Sequence, residues 1–334
     1  GPASYGQGGT IPAVTDSDVI LGLLDPAAFL GGDMPLNRSL AEGAAQTVAD
    51  GLGLEMLDTA AGIHEVVNQN MAAAASMHGV EMGVDLRGIP LIAFGGAGPV
   101  HACGVAELLE SDRVIFPVNA SVLSAFGTLV SPVRIDLARS MPRLIDKVTD
   151  DERDGLLDEL RNEGRRVLRG AGVPDDAIVF RYGVDARYSG QGNEITIWVG
   201  EGDVWPATAA DVTIAFEIEY RRIYGMTIPD VAVEAITWRL SASATTSHVE
   251  PDDSIAPHEG EVVPKSTRPM VFSRGVDAVE APVYDRSMLG AGARFAGPAV
   301  VEERETTSVI RPGWDVEVAA DGSLIASRTV KELA

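Results

Sequence analysis

The spacing of apolar positions changes along the chain, and those changes mark its elements. Between Asp58 and His78, the residues Ile63, Val66, Val67, Met71, Ala74 and Met77 recur at helical spacing and predict one long helix. Upstream, Val19, Ile20, Leu23 and Leu24 predict a short helix that Asp16 can cap. Ser39-Leu40-Ala41-Glu42 reads as a capping box opening a further helix that ends near Gly51 or Gly53. The apolar run from Pro90 to Phe94 predicts a buried strand, followed by a glycine turn, a helix from Val100 to Leu109 and a strand from Val114 to Pro117. Strand, turn, helix, strand is the order of a parallel sheet.

Beyond residue 150 the pattern shifts. Thr149-Asp150-Asp151-Glu152 is a second capping box. It starts a charged helix to Arg169 whose apolar stripe (Leu156, Leu160, Val167, Leu168) is narrow, which predicts a surface connector. Phe180, Tyr182, Val184, Ala186 and Tyr188 then alternate with Arg181, Gly183, Asp185 and Arg187, as in a half-buried strand. Ile195 to Val199 predicts its return, Val212 to Tyr224 a helix, and Ala232 to Ala242 another strand. A Pro- and acid-rich loop is expected from His248 to about Pro264, and Asp321-Gly322 predicts a tight hairpin between Val316–Val318 and Leu324–Ala326. The expected divisions are 1–145, a connecting helix 146–172, and a β-rich part 173–334.

The length of 334 residues suits about two domains, and 46% hydrophobic residues suit a packed core. A formal charge of −23 repels phosphate backbones and anionic lipid head groups, so neither nucleic acid nor a membrane surface is expected as partner. Cys103 is the one cysteine, which rules out an internal disulfide and suits a reducing, cytoplasmic compartment. The most apolar stretch, Ile89 to Leu109, is interrupted by the glycine turn and His101, so no transmembrane helix is predicted. No signal peptide is visible either.

The strongest chemical signal is Gly95-Gly96-Ala97-Gly98-Pro99 between strand and helix. Such a turn lets backbone N–H groups approach an anion or nucleotide where a Cβ would block them. The same turn also serves as a tight connection that binds nothing, and it is neither a Walker nor a GxGxxG pattern. His101, just inside the next helix, suits acid-base work or packing against the sheet. On the long helix, His64 and Asn68 share a face, and His78 and Glu81 are neighbours; a metal pair and solvated polar positions are both readings. Asp16 and Asp18 beside Thr15 suit a cation or helix capping, and Glu302, Glu303, Glu305, Thr306 and Thr307 form an acidic, hydroxyl-rich segment between two strands.

Taken in order, these segments resemble the hydantoinase/oxoprolinase family, in particular its HyuA-type subunit. Gly1-Pro2-Ala3-Ser4-Tyr5-Gly6-Gln7-Gly8-Gly9 with Val14-Thr15-Asp16 resembles the family's GPACYGRGG…VTDAN segment, and Phe29-Leu30-Gly31-Gly32 its FLGG turn. Ala61-Gly62-Ile63 through Asn68-Gln69-Asn70-Met71-Ala72 resembles the AAGI…NxNMA helix, and Phe94 to Ala102 resembles FGGAGPxHA. Leu123 to Gly127 is similar to the SAxG motif, Arg187 to Glu194 to RYxGQxxE, and Tyr224-Gly225-Met226 to YGY. Gly297-Pro298-Ala299, Thr306-Thr307 and Pro312-Gly313 resemble the GPAI…TT…PG ending. Departures are Ser4 for a frequent Cys, Ser76 for a common Arg, Leu86 for Pro and Ser121 for Gly; the run Met71 to Glu81 with His78 is more similar to the acetophenone carboxylase-like branch.

The resemblance implies an α/β fold, with an actin-like (ribonuclease H-like) ATPase subdomain followed by a β-rich α+β carboxy-terminal domain. It implies ATP with Mg²⁺ or Mn²⁺, the metal ligands lying upstream of Gly1, and a nucleotide contact at Gly95, Gly96, Ala97 and Gly98, with His101 as a catalytic candidate. It also implies a HyuB-type partner subunit, an oligomer and a small carbonyl substrate. Because the chain starts at Gly1 inside a family motif, it is expected to be the carboxy-terminal half of a longer subunit and inactive alone. The expected reaction is phosphorylation of an amide carbonyl for hydrolysis of a hydantoin or lactam. Alternatives are ketone carboxylation, as in acetophenone or acetone carboxylases, and a non-catalytic subunit-docking fragment.

Overall fold

The computed structural model describes residues 1–203, 205, 207–244 and 254–329, so the opening of the expected Pro- and acid-rich loop lies outside the described residues. In chain order the first elements are α1 (Val14–Ile20), α2 (Arg38–Leu52), α3 (Met56–Met82), β1 (Leu91–Ile92), α4 (Gly98–Leu108), β2 (Arg113–Phe116) and α5 (Leu123–Val130). Then come β3 (Val133–Leu144), α6 (Asp150–Gly170), β4 (Val179–Tyr188), β5 (Ile195–Glu201), α7 (Ala209–Tyr224) and β6 (Val233–Ala244). The chain closes with β7 (Ser266–Met270), β8 (Val279–Asp285), β9 (Arg294–Ala296), β10 (Ala299–Glu302), β11 (Thr307–Ile310), β12 (Trp314–Val318) and β13 (Leu324–Arg328).

These elements form two compact units, Gly1–Phe126 with Glu250–Ala334, and Gly127–Val249. The grouping differs from the contiguous divisions expected at 145 and 172, and the reason is strand pairing. β13 adds antiparallel to β2, with Leu324 opposite Phe116, so the end of the chain completes a sheet begun near residue 91. β1 and β2 pair parallel, as the strand, turn, helix, strand order predicts, but the sheet, in the order β1-β2-β13-β12-β9, continues antiparallel and is therefore mixed.

In the first unit a second sheet has the order β11-β10-β8-β7, with β10 and β11 joined as a hairpin. One core lies between this sheet and α1, α2 and α3, built from Val19, Ile20, Leu23, Met270, Val283 and Val300. Ala41, Ala45, Ala60 and Ala61 are buried where the three helices meet. Small side chains there let the helix axes approach closely, which decides the geometry of the site below. A second core joins α4, through Ala102, Cys103 and Ala106, to Phe116, Ile310, Trp314 and Val316. Burial pushes the Cys103 thiol up to about 12, so it packs as a small hydrophobe rather than as a nucleophile.

Local capping fixes the helix starts. Asn37, not Ser39, caps α2: its Oδ1 accepts from the Leu40 N–H at 3.1 Å, while Glu42 turns to Arg38 at 2.8 Å. In α1 the buried Asp16 carboxylate accepts from the N–H groups of Ser4 (2.7 Å), Ala13 (2.8 Å) and Ala3 (3.0 Å), tying the first loop to the helix. Burial alone would raise this carboxyl, but donors from Ala13, Ser4 and Ala3 hold it below its ordinary value. A depressed carboxylate contributes stability that is present above its unfolded value of 3.8 and lost as pH falls through the folded one. We therefore expect Asp16→Asn to cost about 1–3 kcal/mol at neutral pH, with the difference from wild type shrinking in strong acid. Urea unfolding at pH 7 and in strong acid measures both.

The second unit is an antiparallel sheet, β3-β6-β4-β5. Phe180, Tyr182, Val184, Ala186 and Tyr188 present one face of β4, and both helices cover it. α7 buries Val212, Phe216 and Tyr220 there. α6, capped by Thr149 as its sequence predicts, buries Leu157, Leu160 and Leu168. α6 is thus a packed layer of this unit rather than a surface connector, because Gly164 lets it sit against Ala242 where a Cβ would come within 3.0 Å.

Candidate functional site

Within the first unit, α1, α3 and α4 converge and bring together four side chains that local sequence patterns leave separate. Asp18 comes from α1, His64 and Asn68 from one face of α3, and His101 from the first turn of α4; all four are at most 4% exposed. The His64 Nδ1–H donates to Asp18 Oδ1 at 2.8 Å. The two imidazoles stack with centroids 4.5 Å apart and planes 24° from parallel. His101 Nδ1 lies 2.9 Å from Asn68 Oδ1, which can only accept, so Nδ1 carries the proton. The other ring nitrogen, Nε2, then has a bare lone pair when the ring is neutral. It faces Asp18 Oδ2 at 3.8 Å, beyond hydrogen-bond length.

Burial drives the His101 imidazole down to about 4, with Asp18 opposing and His64 reinforcing the shift, so the ring is neutral near pH 7. Gly104 makes room for its tether, since a Cβ there would stand 2.6 Å from Asn68 Nδ2. We expect Gly104→Ala to push the Asn68 amide off His101 and to cost about 1–3 kcal/mol, read by denaturant unfolding.

Asp18 also lies in the wall of a cavity of about 260 Å³. Tyr5, Leu24, Phe29 and Leu30 line one part of it; Thr15, Gly96, Ala97, Glu302–Glu305, Thr306 and Thr307 line others. The turn at Gly95–Gly98 is held from two sides. Gly95, at φ +93°, donates its N–H to the Ala120 carbonyl at 2.8 Å, and the Thr306 hydroxyl donates to the Gly96 carbonyl at 2.9 Å. Of the four expected nucleotide contacts, Gly96 and Ala97 face the cavity, while Gly98 begins α4. At the start of α4, Pro99 has no N–H and the Val100 N–H donates to the Ala97 carbonyl at 3.1 Å, which leaves few donors for a ligand.

The acidic segment is the β10–β11 hairpin, and its charges are unequal. Glu302 is paired with Arg268 at 2.5 Å and Lys265 at 2.7 Å. Burial pushes the Glu303 carboxyl up, against the pull of Arg286 at 3.2 Å. With Glu302 countered by Arg268 and Lys265 and Glu303 by Arg286, the wall also holds Asp18, Asp25 and Glu305 against Arg304, a field that favours cations and neutral carbonyl compounds over a bare phosphate. Elsewhere, His78 and Glu81 are exposed at 3.7 Å and Asp16 is occupied as a structural acceptor, so neither joins the cluster. Among the described residues no helix is long and apolar enough to cross a membrane.

Comparison with known proteins gives this geometry a context. Residues 1–137 match the Hydantoinase/oxoprolinase family and residues 151–324 the Hydantoinase/oxoprolinase C-terminal domain. The chain is 32% identical over 323 residues to the caprolactamase subunit alpha of Pseudomonas jessenii, covering 95% of this chain and 46% of that protein. It is 29% identical to the acetophenone carboxylase gamma subunit of Aromatoleum aromaticum, covering 97% of this chain and 46% of that one. The crystal structure of ATP-dependent caprolactamase from P. jessenii superposes with a TM-score of 0.78 at 30% identity, over 99% of this chain and 48% of that one. That likeness supports the expected α/β class with a β-rich second part, and the chain spans about half the length of the curated relatives it matches. With both halves matched, the chain belongs to the hydantoinase/oxoprolinase family.

Proposed function

We propose that the chain is the carbonyl-binding part of an ATP-dependent enzyme that opens a cyclic amide. The observation that carries this reading is the cavity where the glycine turn at Gly96–Ala97 meets Asp18, in a chain similar to an ATP-dependent caprolactamase. A cyclic amide is a neutral, weak electrophile. Its oxygen attacks the terminal phosphorus of ATP, the bond to ADP breaks, and the carbonyl carbon becomes an imidate phosphate open to water. Water adds at that carbon and the ring C–N bond breaks, giving a free amine and an acyl phosphate. A second water attacks the acyl carbon, and its C–O bond breaks to give the carboxylate and phosphate.

The residues divide the work. Tyr5, Leu24 and Phe29 offer apolar surface to a ring, and Thr15 and Thr306 offer hydroxyls. The turn at Gly95–Gly98, of which Gly96 and Ala97 line the cavity, would contact the nucleotide, and a divalent ion, Mg²⁺ or Mn²⁺, would offset the phosphate charge beside the acidic wall. Mg²⁺ demands oxygen ligands, so the mixed nitrogen and oxygen set of Asp18, His64 and His101 is not its site. His101 is absent from the cavity wall and acts through Asp18, as a positioning residue. The same reading includes a HyuB-type partner subunit and a cytoplasmic setting. A second reading, ketone carboxylation, is favoured by the likeness to an acetophenone carboxylase subunit.

The test is ATP hydrolysis by the full-length protein with its partner subunit, against a panel of lactams, hydantoins and ketones. A cyclic amide should stimulate turnover at least about tenfold without bicarbonate. Stimulation by a ketone only when bicarbonate is present would select carboxylation, and turnover indifferent to every carbonyl compound would remove both readings.

A further inference from the structure

We propose that Asp18, His64 and His101 form a binding site for one transition-metal ion of the Zn²⁺, Co²⁺, Fe²⁺ or Mn²⁺ class. One ligand atom from each of the three residues lies within 4.8 Å of the others, and all three residues are buried. Two imidazoles and one carboxylate are the donor set such ions select, and one that Mg²⁺ disfavours. The observation that points to an ion is the pair of atoms left facing each other. With His101 Nδ1 turned to Asn68, His101 Nε2 and Asp18 Oδ2 face each other 3.8 Å apart, too far for a hydrogen bond. A lone pair opposite a buried carboxylate oxygen is unfavourable by itself, and a cation between them makes both atoms ligands.

The surroundings fit the same assignment. The Asn68 carbonyl oxygen holds His101 Nδ1–H and so fixes which nitrogen is offered, as outer partners of metal-bound imidazoles do. His64 binds through Nδ1 once its proton moves to Nε2, so no net proton need leave. Asp18 carries the site to the cavity wall, whose excess of carboxylates favours a cation. The ion's role, polarising the carbonyl oxygen as a Lewis acid, rests on the function proposed above; its binding does not.

The experiment is a Co²⁺ titration of chelator-treated protein, followed by visible absorption, with Zn²⁺ as competitor. One equivalent should bind and be displaced by Zn²⁺, and Zn²⁺ should raise the wild-type Tm. His64→Gln and His101→Gln should weaken binding by more than about 100-fold, and Asn68→Ala by about 10–100-fold. Asp18→Asn, nearly isosteric, guards against loss through misfolding and should also weaken it, whereas the exposed His78→Gln should not. No saturable binding by the wild type, or binding that survives both Asp18→Asn and His101→Gln, overturns the site. Neither result depends on any catalytic assay.

Discussion

Replacing Gly22 by alanine is expected to destabilise the first unit by about 4 kcal/mol or more, enough to prevent folding in a marginal protein. Gly22 ends the turn after α1 at φ +74°, a backbone conformation that L side chains rarely adopt. An added Cβ would also run into the Pro269 backbone carbonyl oxygen of β7, which cannot rotate away as a side chain could. The contact is close because α1 is stitched to that strand. Val271 donates its N–H to the Leu21 carbonyl at 2.9 Å, and Arg268 Nε donates to the Gly22 carbonyl at 2.7 Å. Arg268 also reaches the Leu23 carbonyl at 3.0 Å, so one side chain clamps the turn. Urea unfolding of Gly22→Ala measures the effect; a loss below about 1 kcal/mol would mean the turn opens freely and that α1 is not fixed by β7.

Asp18→Asn is expected to reduce carbonyl-dependent ATP turnover by at least about 100-fold while shifting stability little. The amide oxygen still accepts from His64 Nδ1–H, so packing and one hydrogen bond survive. What disappears is the negative charge shared between the imidazole pair and the cavity. A neutral amide is a far weaker ligand than a carboxylate, so high Zn²⁺ or Mn²⁺ should restore part of the lost rate. Activity within a factor of about three of wild type would remove Asp18 from the chemistry.

Local structure is legible in the sequence. The helix α3 forms as expected, but its buried face is Thr59, Ala60, Ala61, His64, Asn68 and Ala72, while Val66 and Met77 of the expected apolar stripe are exposed. Thr149 caps α6 because its side chain and Glu152 reach each other within one turn. The Asp321-Gly322 hairpin follows from turn chemistry, with Gly322 at φ +83° and Val318 opposite Leu324. The cap of α2 was within reach too: Asn37 precedes the helix and is as good a capping type as Ser39.

Long-range pairing was not legible. Nothing in residues 113–116 says that residues 324–327 will lie beside them, and that pairing decides both the mixed sheet and the membership of the first unit. The site has the same character. Helical spacing puts His64 and Asn68 on one face, and Asp18 and His101 each stand out alone, but no local pattern joins three helices. The nearest hint is the set of buried alanines that lets α1, α2 and α3 close up, which is visible in composition and uninterpretable until the packing partners are known.

The most direct test of phosphoryl transfer to the carbonyl oxygen uses a lactam labelled with ¹⁸O at that carbonyl. The full-length protein with its partner subunit is given this lactam and ATP, and the inorganic phosphate is analysed by mass spectrometry. Transfer to the carbonyl oxygen predicts one ¹⁸O in each phosphate released once the ring has opened. Phosphate free of label, formed while the lactam is opened and ATP consumed, would contradict it.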